Sequence, residues 1–474
     1  MSSPFAEIGR VLGPARVLDD DASRLSASRD SWPQALGWTP EESFRRRPAA
    51  VLKPRDEKGV AAVLQWAAAE GRVVIPRGAG SGVLGAAVPS GPGAVVLDGG
   101  SLDEKFELDP RPGRPAVVCG AGMLGSDLEA RLQARGWSLK HFPQSMEDST
   151  PGGWIATDSF GQLSTRYGGV ADQSLWVKAF LPDGTSAEEE AGPHLGAEGT
   201  LGIITEVCLA IRPAARSRSF HAFSFRRLGH ALDFCRETMA RPLPPSVLRL
   251  YCPVDAFFNG LGRDRGPAGA SPWMEAAQGL ALRRLGMMYA LSPLVGRHWV
   301  CIAVYEEEPG FAAGEPAKAP RGADLGEGPA LRWWERRYHL DKERLERVFR
   351  RGCFADTADL WAPWERLPAL HAGVMETLRP HAFAFAHLSH FDSAGACLYV
   401  TLAGRGPQDH RAAWEAVMEA CIRAGGKTNH HHGVGLAKLP WLSHAKSAGW
   451  LAAWKAQKAR RDPGGLLNRG KLCL

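Results

Sequence analysis

Three consecutive histidines, His430, His431 and His432, carry the clearest chemical signal in the chain. Gly433 and Gly435 follow them, and glycine lets another group approach the backbone closely. In an extended segment alternate side chains face opposite ways, so His430 and His432 would share one face and His431 would take the other. Three adjacent imidazoles are then poorly placed to bind one metal ion, and no metal site is predicted. They are well placed to donate to several oxygens of one substrate. A surface polar cluster without function is the alternative.

A second candidate is Tyr399, in the run Ala396-Cys-Leu-Tyr-Val-Thr-Leu-Ala403. The alternation predicts a strand in which Leu398, Val400 and Leu402 share one face and Tyr399 lies on the other. A hydroxyl on the less apolar face is either a general acid or base, or an ordinary interfacial residue.

Glycine-rich segments in the first half of the chain indicate a phosphate-bearing ligand. Pro76-Arg-Gly-Ala-Gly-Ser-Gly82 directly follows an apolar run, and glycines there expose backbone N–H groups to a pyrophosphate. Its GxGxG spacing does not match the Rossmann GxGxxG fingerprint. Pro143–Thr157 combines hydroxyl side chains with a glycine pair, and Gly196–Glu206 is a further segment rich in small residues. Each segment alone could simply form a turn. The three segments in this order are a more specific indication of a ligand-binding site.

Helices and strands alternate around these segments. An alanine-rich helix is predicted over Lys58–Gly71. A capping box at Ser126–Glu129 predicts a helix that runs to about Arg135. Strands are predicted at Val73–Pro76, Val95–Leu97 and Val117–Cys119. Beyond Arg212-Pro213 the chain has longer helical stretches, and the Gly/Pro-rich passage Glu308–Pro329 reads as a long loop, either a lid or a solvated insertion.

Composition limits the class of protein. The 474 residues are 45% hydrophobic and 23% charged, as in ordinary globular proteins of two or three domains. A net charge of +6 without a basic stripe argues against nucleic acid as a partner. Nine cysteines without paired spacing argue against a disulfide framework. No signal peptide or membrane-spanning run is evident, so the cytoplasm is expected, with peripheral membrane contact and a homodimer left open.

The three glycine-rich segments, in their order, resemble the FAD-binding domain of vanillyl-alcohol-oxidase-type (PCMH) flavoproteins, over roughly Arg47–Pro213. Asp462-Pro463 through Asn468-Arg-Gly-Lys471 is similar to the usual terminus of that superfamily. The resemblance implies an α+β fold: a two-subdomain FAD-binding domain, an inserted α+β cap domain and a C-terminal return. The expected domains are therefore 1–213, 214–424 and 425–474.

The resemblance also implies which residues bind FAD. Family members with covalent flavin often carry a histidine in the first loop, and Ser81 stands there, so non-covalent FAD is implied. The cofactor-binding residues implied are Pro76, Arg77, Gly78, Ala79, Gly80, Ser81, Gly82, Ser145, Ser149, Thr150, Gly152, Gly153, Thr157, Glu198, Gly199, Thr200, Leu201, Gly202 and Ile204.

Within this superfamily the second half is similar to the alkyl-dihydroxyacetone-phosphate synthases of ether-lipid synthesis. The similarity rests on His387-Leu-Ser-His390 leading into Gly395-Ala-Cys-Leu-Tyr399, on Ser246-Val-Leu-Arg-Leu250, and on the His-His-His-Gly-Val-Gly run. Related 2-hydroxy-acid dehydrogenases tend to have a GEHGVG-like run and an HxGDGNxH-like metal motif, and this chain has neither.

The resemblance implies a redox-neutral exchange: an acylated dihydroxyacetone phosphate loses its fatty acid, a fatty alcohol replaces it, and a flavin N5 adduct holds the substrate between the steps. Tyr399 matches the family's acid/base. Its ordinary pKa near 10 would need lowering, and we expect the histidine triplet and Arg249 to lower it. Arg249 matches an arginine that supports the active centre.

The substrate phosphate requires a further cation. Counted forward from Arg337-Tyr338, the family's arginine falls at Arg344; counted back from Gly352-Cys-Phe-Ala-Asp-Thr357, it falls at Leu345. Arg344 is the predicted anchor, and Arg347 could substitute for it. Two alternative functions remain: an FAD-dependent oxidase or dehydrogenase of a small alcohol or 2-hydroxy acid, and a flavin-binding protein without turnover. Tyr399 together with the triplet argues against the last.

Overall fold

The computed structural model describes residues 4–109, 115–261, 284–309, 314–339 and 342–473. They form two compact units. The first unit comprises the chain up to Gly161, Gly168–Arg212 and the chain from His431 onward; the second comprises Gln162–Tyr167 and Pro213–His430. The boundary therefore falls inside the histidine triplet, between His430 and His431.

Two sheets organise the first unit. One has the strand order β1-β2-β4-β3 and the other β5-β6-β10-β8-β9. The strands are β1 Val17–Leu18, β2 Ala50–Leu52, β3 Val74–Arg77, β4 Val95–Asp98, β5 Phe106–Asp109, β6 Ala116–Gly120, β7 Trp137–Ser138, β8 Ser174–Phe180, β9 Ser186–Glu190 and β10 Ile203–Ala210, with β11 Arg212–Pro213 at the junction to the second unit.

Short helices surround these sheets. Their bounds are Ala6–Leu12, Asp21–Ser26, Pro33–Leu36, Pro40–Arg45, Glu57–Ala69, Gly125–Gln133, Pro151–Thr157, Val170–Gln173, Leu442–Ala445 and Ala448–Arg461, with 3₁₀ turns at Pro14–Arg16, Gly99–Ser101, Gly192–His194 and Leu439–Trp441. The helix Glu57–Ala69 buries Val60, Val63 and Leu64 against the first sheet. This helix and strands β3, β4 and β6 confirm the predictions made from apolar runs.

The capping box predicted at Ser126 is wrong. The helix Gly125–Gln133 begins one residue earlier, with Leu124 as its N-cap and no side-chain cap hydrogen bond. Glu129 does not bond to the start of the helix as a capping box requires. Its carboxylate accepts hydrogen bonds from Leu139 N at 2.9 Å and from Gln133 Nε2.

The end of the chain completes the first sheet. Val74 N donates to Leu466 O at 2.8 Å and Asn468 N donates to Val74 O at 2.9 Å, so this segment adds a parallel bridge beside β3. Asn468 Nδ2 also donates to Glu198 O and to Ala86 O. The first unit is thus built from both ends of the chain.

The second unit contains a seven-stranded sheet of order β15-β12-β14-β13-β17-β18-β16. Neighbouring strands in this sheet are antiparallel. Its strands are β12 Ser217–Phe225, β13 Val247–Tyr251, β14 Trp299–Glu307, β15 Gly322–Asp324, β16 Cys353–Pro363, β17 Phe383–Ser389 and β18 Gly395–Arg405. Its helices are Ser164–Tyr167, Leu228–Met239, Pro253–Phe258, Leu285–Val295, Gly328–Arg336, Lys342–Arg350, Leu367–Leu378 and Gly406–Arg423.

The loop predicted over Glu308–Pro329 is only partly correct. Residues 310–313 lie outside the described residues. Gly322–Asp324 is a strand that pairs with β12, and a helix begins at Gly328. The short strand escaped prediction because its pairing partner is about 100 residues away in sequence.

The helices and sheets confirm the expected α+β class, with a middle region inserted before the chain returns to its first unit. Among the described residues, no helix combines the length and apolar character needed to cross a bilayer.

Candidate active site

The predicted site residues fall into two groups, one in each unit. In the first unit the glycine-rich loop leaves β3 at Arg77, and Ala79 is exposed. Gly78 packs so closely that an added Cβ would lie 2.3 Å from Thr150 Oγ1. Gly80 has a φ of +74°, and an added Cβ would lie 2.3 Å from the Arg77 guanidinium. Gly78 is therefore required for space, and Gly80 for its left-handed backbone conformation.

Residues 29–31, which include a buried acid, hold this loop in place. Asp30 accepts hydrogen bonds from Trp32 N and Ala87 N, and burial raises the pKa of its carboxyl to about 6. The neighbouring Ser31 donates through its backbone N–H and its hydroxyl to Gly80 O. Arg77 donates to a backbone carbonyl in the same segment, Arg29 O, at 2.7 Å.

The second predicted segment meets the first at Thr150, the N-cap of the helix Pro151–Thr157. Thr150 Oγ1 accepts from Gly153 N, and Thr157 Oγ1 donates to Gly153 O at 3.0 Å. Ser149 Oγ accepts from Trp154 Nε1 at 2.8 Å, while Ser145 lies in the preceding turn. At Gly152 an added Cβ would lie 2.9 Å from Ala121 Cβ, so only glycine fits.

The third segment completes this arrangement. Gly199 has a φ of +68°, and an added Cβ would lie 2.3 Å from Pro76 Cγ. Glu198 N donates to Ala156 O at 2.8 Å, which joins the third segment to the second. Buried Thr200 and Leu201 lead through Gly202 into β10, which contains Ile204. The structure therefore brings together all three segments that the sequence singled out.

The residues present fit a pyrophosphate cofactor. Among the described residues, no acceptor is found for the backbone N–H groups of Ala79, Gly80, Ser81 and Gly82. Consecutive N–H groups in a turn form a concave anion-binding site. Pro76 to Gly82 would hold the phosphates of FAD, and the segments around Gly152 and Gly199 surround that loop.

Glu198 connects the cofactor segments to the histidine run. Its buried carboxylate accepts hydrogen bonds from Val434 N and Gly435 N. Burial raises the pKa of Glu198, and these backbone donors oppose that shift. Gly433 has a φ of +83°, and an added Cβ would lie 2.7 Å from Glu198 Oε1. This role could not be predicted from the sequence, because Glu198 and Val434 are more than 230 positions apart.

The triplet is not extended, so the alternation of faces that an extended segment would give does not apply to it. Residues 430–432 form bends, and the rings of His431 and His432 lie 4.4 Å apart with an interplanar angle of 58°. His431 is buried and also contacts Phe160, with ring centroids 6.0 Å apart. The positive φ of Gly433, together with the hydrogen bonds from Val434 N and Gly435 N to Glu198, explains why the run departs from a strand.

In the second unit Tyr399 belongs to a row of side chains across four adjacent strands. Asp359 on β16 pairs with Tyr399 on β18, which pairs with His387 on β17, which pairs with Tyr251 on β13. The rings of His387 and Tyr399 are stacked at 4.8 Å and 11°. Residues directly opposite in a sheet share one face, so this row forms a continuous surface. Tyr399 is half-buried on the less apolar face of its strand, as predicted.

The pKa shift expected for Tyr399 is wrong in direction. Burial raises the pKa of Tyr399 well above its ordinary value, and the Cys397 thiol and Asp359 carboxylate add to the increase, whereas Arg249 opposes it. One cation does not offset burial beside an acid, so the phenol is a neutral proton donor near pH 7.

Arg249 lies two residues before Tyr251 on β13, so both side chains leave the same face of the sheet. Its Nη1 is 3.4 Å from Tyr251 Oη, and the guanidinium lies 4.9 Å from the centre of the Trp333 ring. Arg249 Nε is buried and has no hydrogen-bond partner among the described residues. Arg249 therefore offers positive charge to an anion at this row.

His430 belongs to the same surface. Its backbone N–H donates to Asp359 Oδ2 at 2.9 Å, and its ring stacks on His390 at 5.5 Å. His390 has a φ of +49°, and its Nδ1 is 2.6 Å from Ser164 Oγ. The structure thus brings Tyr399, Arg249 and His430 into one unit, and places His431 and His432 in the other.

Arg344 lies in the helix Lys342–Arg350, and its side chain is outside the described residues. Arg347, the substitute proposed for it, lies 3.7 Å from Glu343 in an i,i+4 pair. The choice between the two arginines stays a prediction.

Comparison with known proteins gives consistent matches. A family described as "FAD binding domain" matches residues 48–188, and one described as "FAD linked oxidases, C-terminal domain" matches residues 321–472. Alkyldihydroxyacetonephosphate synthase of Dictyostelium discoideum is 26% identical over 97% of this chain and 79% of its own. Glycolate oxidase subunit GlcD of Bacillus subtilis (strain 168) is 22% identical over 98% of this chain and 95% of its own. A solved structure of alkyldihydroxyacetonephosphate synthase has a TM-score of 0.77 at 23% identity, covering 99% of this chain and 86% of its own; it shows likeness of fold.

Proposed function

The chain belongs to the FAD-binding flavoproteins of the vanillyl-alcohol-oxidase (PCMH) type, and from this premise we propose that it replaces the acyl group of an acylated dihydroxyacetone phosphate with a fatty alcohol. The expected fold class and the cofactor FAD are confirmed by the family matches and the likeness of fold. The relatives named alkyldihydroxyacetonephosphate synthase support the choice of reaction.

The observation that carries this proposal is the row of side chains around Tyr399. The exchange breaks the bond between the dihydroxyacetone carbon and the acyl oxygen, and the carboxylate leaves with the electron pair. The incoming alcohol forms a new C–O bond and gives up its hydroxyl proton, so no net oxidation occurs. Such a reaction requires groups that move protons and stabilise anions. Neutral Tyr399 beside cationic Arg249 supplies both.

The roles proposed follow from these groups. Tyr399 exchanges a proton with the substrate, and Arg249 stabilises the departing carboxylate. His430, His431 and His432 donate hydrogen bonds to substrate oxygens, and Arg344 binds the substrate phosphate. FAD, when bound, supplies the chemistry that retains the dihydroxyacetone carbon during the exchange. Because Ser81 occupies the loop position where a histidine would bond to flavin, FAD is proposed to bind non-covalently.

The second candidate is an FAD-dependent oxidase or dehydrogenase of a small alcohol or 2-hydroxy acid. The similarity to a glycolate oxidase subunit over 98% of this chain supports it. The sequence argues against it, since the GEHGVG-like and HxGDGNxH-like runs of such enzymes are absent. Peripheral membrane contact and a homodimer remain predictions.

One experiment separates the two reactions. Purified holoenzyme is mixed anaerobically with an acylated dihydroxyacetone phosphate and a long-chain alcohol, and fatty acid release and flavin absorbance are followed together. We expect release of fatty acid and formation of an alkyl ether without lasting loss of flavin absorbance. Bleaching by a 2-hydroxy acid, together with no fatty acid release, would replace the exchange with the dehydrogenase reaction.

A further inference from the structure

His387 is held between two phenols in the row across the second unit. Its ring centroid lies 4.8 Å from that of Tyr399 and 5.1 Å from that of Tyr251. The ring is stacked on Tyr399 at 11° and tilted against Tyr251 at 31°, and rotation about its side-chain bonds would break both contacts, so they fix the plane of the imidazole.

Asp255 fixes the direction of this ring. Its Oδ2 lies 2.9 Å from His387 Nδ1, and its Oδ1 accepts a hydrogen bond from Asn259 Nδ2 at 2.7 Å. Asp255 is buried, with 4% of its surface exposed. An ionised carboxylate only accepts hydrogen bonds, so the pair requires the proton to be on His387 Nδ1.

The other ring nitrogen is then a free base. Among the described residues, His387 Nε2 has no hydrogen-bond partner, and 16% of the side chain is exposed. The charged groups that face the ring are Asp255 and Arg249, and its titratable neighbours are Tyr251 and Tyr399. Burial lowers the pKa of His387, and Asp255 opposes this shift, so the ring is neutral near pH 7.

We propose that His387 Nε2 accepts the hydroxyl proton of the incoming fatty alcohol, and that Asp255 positions His387 for this transfer. The proposal rests on the exchange reaction proposed above and assigns its second half to a separate base. The alcohol oxygen bonds to the dihydroxyacetone carbon, its O–H bond breaks, and the proton moves to Nε2. Solvent or the departed carboxylate then takes the proton, which balances the cycle without a redox partner.

Tyr399 and His387 thereby have complementary tasks. A phenol with a raised pKa gives up its proton reluctantly, so it serves the reaction as a donor rather than as the base for an alcohol. A neutral imidazole with a fixed Nδ1–H is the usual acceptor for a hydroxyl proton near neutral pH.

The same unit provides a matched control. His410 Nε2 lies 2.9 Å from Asp356 Oδ2, and both side chains are 4% exposed. Asp356 is three residues from Asp359 on β16, so it leaves the opposite face of the sheet. His410 stacks on Phe354 at 4.7 Å and serves packing.

The test compares His387→Gln, Asp255→Asn and His410→Gln as full-length holoenzymes. Fatty acid release is measured in a single turnover without alcohol, and alkyl ether formation is measured with alcohol. In His387→Gln we expect ether formation to fall about 100-fold while acid release is unchanged, because Gln keeps a donor for Asp255 but removes the base. His410→Gln should retain both rates. Ether formation at the wild-type rate in His387→Gln would overturn the proposal.

The pH profile tests the role of Asp255. Activity rises with pH as His387 loses its proton, and Asp255 raises the pKa of that group. In Asp255→Asn the acid limb for ether formation should move to lower pH and kcat should fall, since the Nδ1–H tautomer is no longer enforced. An unchanged acid limb with unchanged kcat would remove Asp255 from this role.

The tautomer of His387 can also be measured by spectroscopy, without following the reaction. In ¹⁵N-histidine NMR of the holoenzyme, with the His387 signals assigned by their loss in His387→Gln, we expect neutral Nδ1–H imidazole at pH 7. A protonated ring or an Nε2–H tautomer would overturn the proposal. A wild-type enzyme that releases no fatty acid, yet shows the Nδ1–H tautomer, would contradict the proposed function and leave the free base established.

Discussion

In the first unit the groups available to a ligand are backbone N–H donors of Ala79 to Gly82, whereas in the second they are side chains in a row across β13, β17, β18 and β16. The first arrangement depends on the absence of side chains, since Gly78, Gly80 and Gly199 have no room for a Cβ. The second depends on strand register, because a slip of one residue would turn Tyr399 to the other face.

This difference separates cofactor retention from turnover. A substitution in the glycine loops should weaken FAD binding and leave the side-chain row intact. A substitution in the row should reduce turnover and leave the protein yellow. Glu198 belongs to neither class alone. It lies in a cofactor segment, but its carboxylate accepts hydrogen bonds from the residues that follow the histidine triplet.

The largest effect is expected for Tyr399→Phe. Removing the phenol oxygen deletes a proton-transfer group, which typically contributes about 10²–10⁴-fold in rate. Fatty acid release should fall by that factor, and the FAD content measured by absorbance should equal that of the wild type. Tyr289→Phe is the control, since within the part of the chain that the structure describes its hydroxyl bonds only to the backbone of Ala382 and Ala384. Retained activity in Tyr399→Phe would remove Tyr399 from the mechanism.

A smaller effect is expected for Glu198→Gln. Val434 N and Gly435 N both donate to Oε1, and Gly435 N also donates to Oε2 at 3.1 Å. The amide of Gln keeps one acceptor oxygen but places an NH₂ donor against the Gly435 N–H, at a cost of about 1–3 kcal/mol. We expect kcat to fall roughly tenfold or more through displacement of His431 and His432. Steady-state kinetics and FAD content are compared with those of Glu190→Gln, an exposed position on β9. A loss of FAD without a loss of kcat per bound flavin would place Glu198 among the cofactor residues instead.

Gly80→Ala should have the opposite effect to Glu198→Gln: FAD binding should weaken and kcat should be retained. A left-handed conformation costs a non-glycine residue about 1–2 kcal/mol, which corresponds to roughly tenfold weaker FAD binding. Titration of the apoprotein with FAD measures the change, and kcat at saturating FAD should be retained. Gly93→Ala is the matched control, because no atom lies within 4 Å of its added Cβ. Equal FAD affinity in both variants would argue against the loop as the pyrophosphate site.

The smallest effect is expected for Arg461→Ala, which removes an ion pair of the first unit that includes no predicted site residue. Arg461 forms a bidentate pair with Glu189, and Arg461 and His194 lower the pKa of that carboxyl to about 2. A lowered carboxyl pKa stabilises the fold fully above the ordinary value near 4.5 and loses this effect as the pH falls through 2. Tm should fall by about 2 °C at pH 7, and the difference should shrink below pH 4.5. Arg460→Ala should have less effect, because the side chain of Arg460, among the residues described, bonds only to Gln457.

Local sequence patterns predicted much of the first unit. The apolar runs before Pro76 and around Val96 and Val118 form strands, and the alanine-rich run forms the helix Glu57–Ala69. The strand Gly322–Asp324 and the helix start at Gly125 were missed, since one depends on a distant partner and the other on a position without a side-chain cap.

The side-chain chemistry was less accessible from sequence. The spacing and resemblance that selected Tyr399 and Arg249 gave no indication of Asp359 or Asp255, whose positions depend on register and on a helix about 130 residues before His387. The expected fall in the pKa of Tyr399 failed because burial of the phenol raises this pKa most, and the Cys397 thiol and the Asp359 carboxylate add to the increase. Only the opposing cation, Arg249, was foreseen. The individual roles of the site residues remain predictions.

The bridge between Val74 and Leu467 has a consequence for synthesis of the chain. Asn468 Nδ2 and Lys471 Nζ donate to Ala86 O and Val88 O, across 382 and 383 residues. During translation the first unit therefore lacks one edge until Leu467 has left the ribosome, by which time the residues of the inserted unit have been made. The loop after β3 should therefore become rigid only once Asn468 and Lys471 are in place, so the nascent protein acquires its cofactor after this segment has emerged.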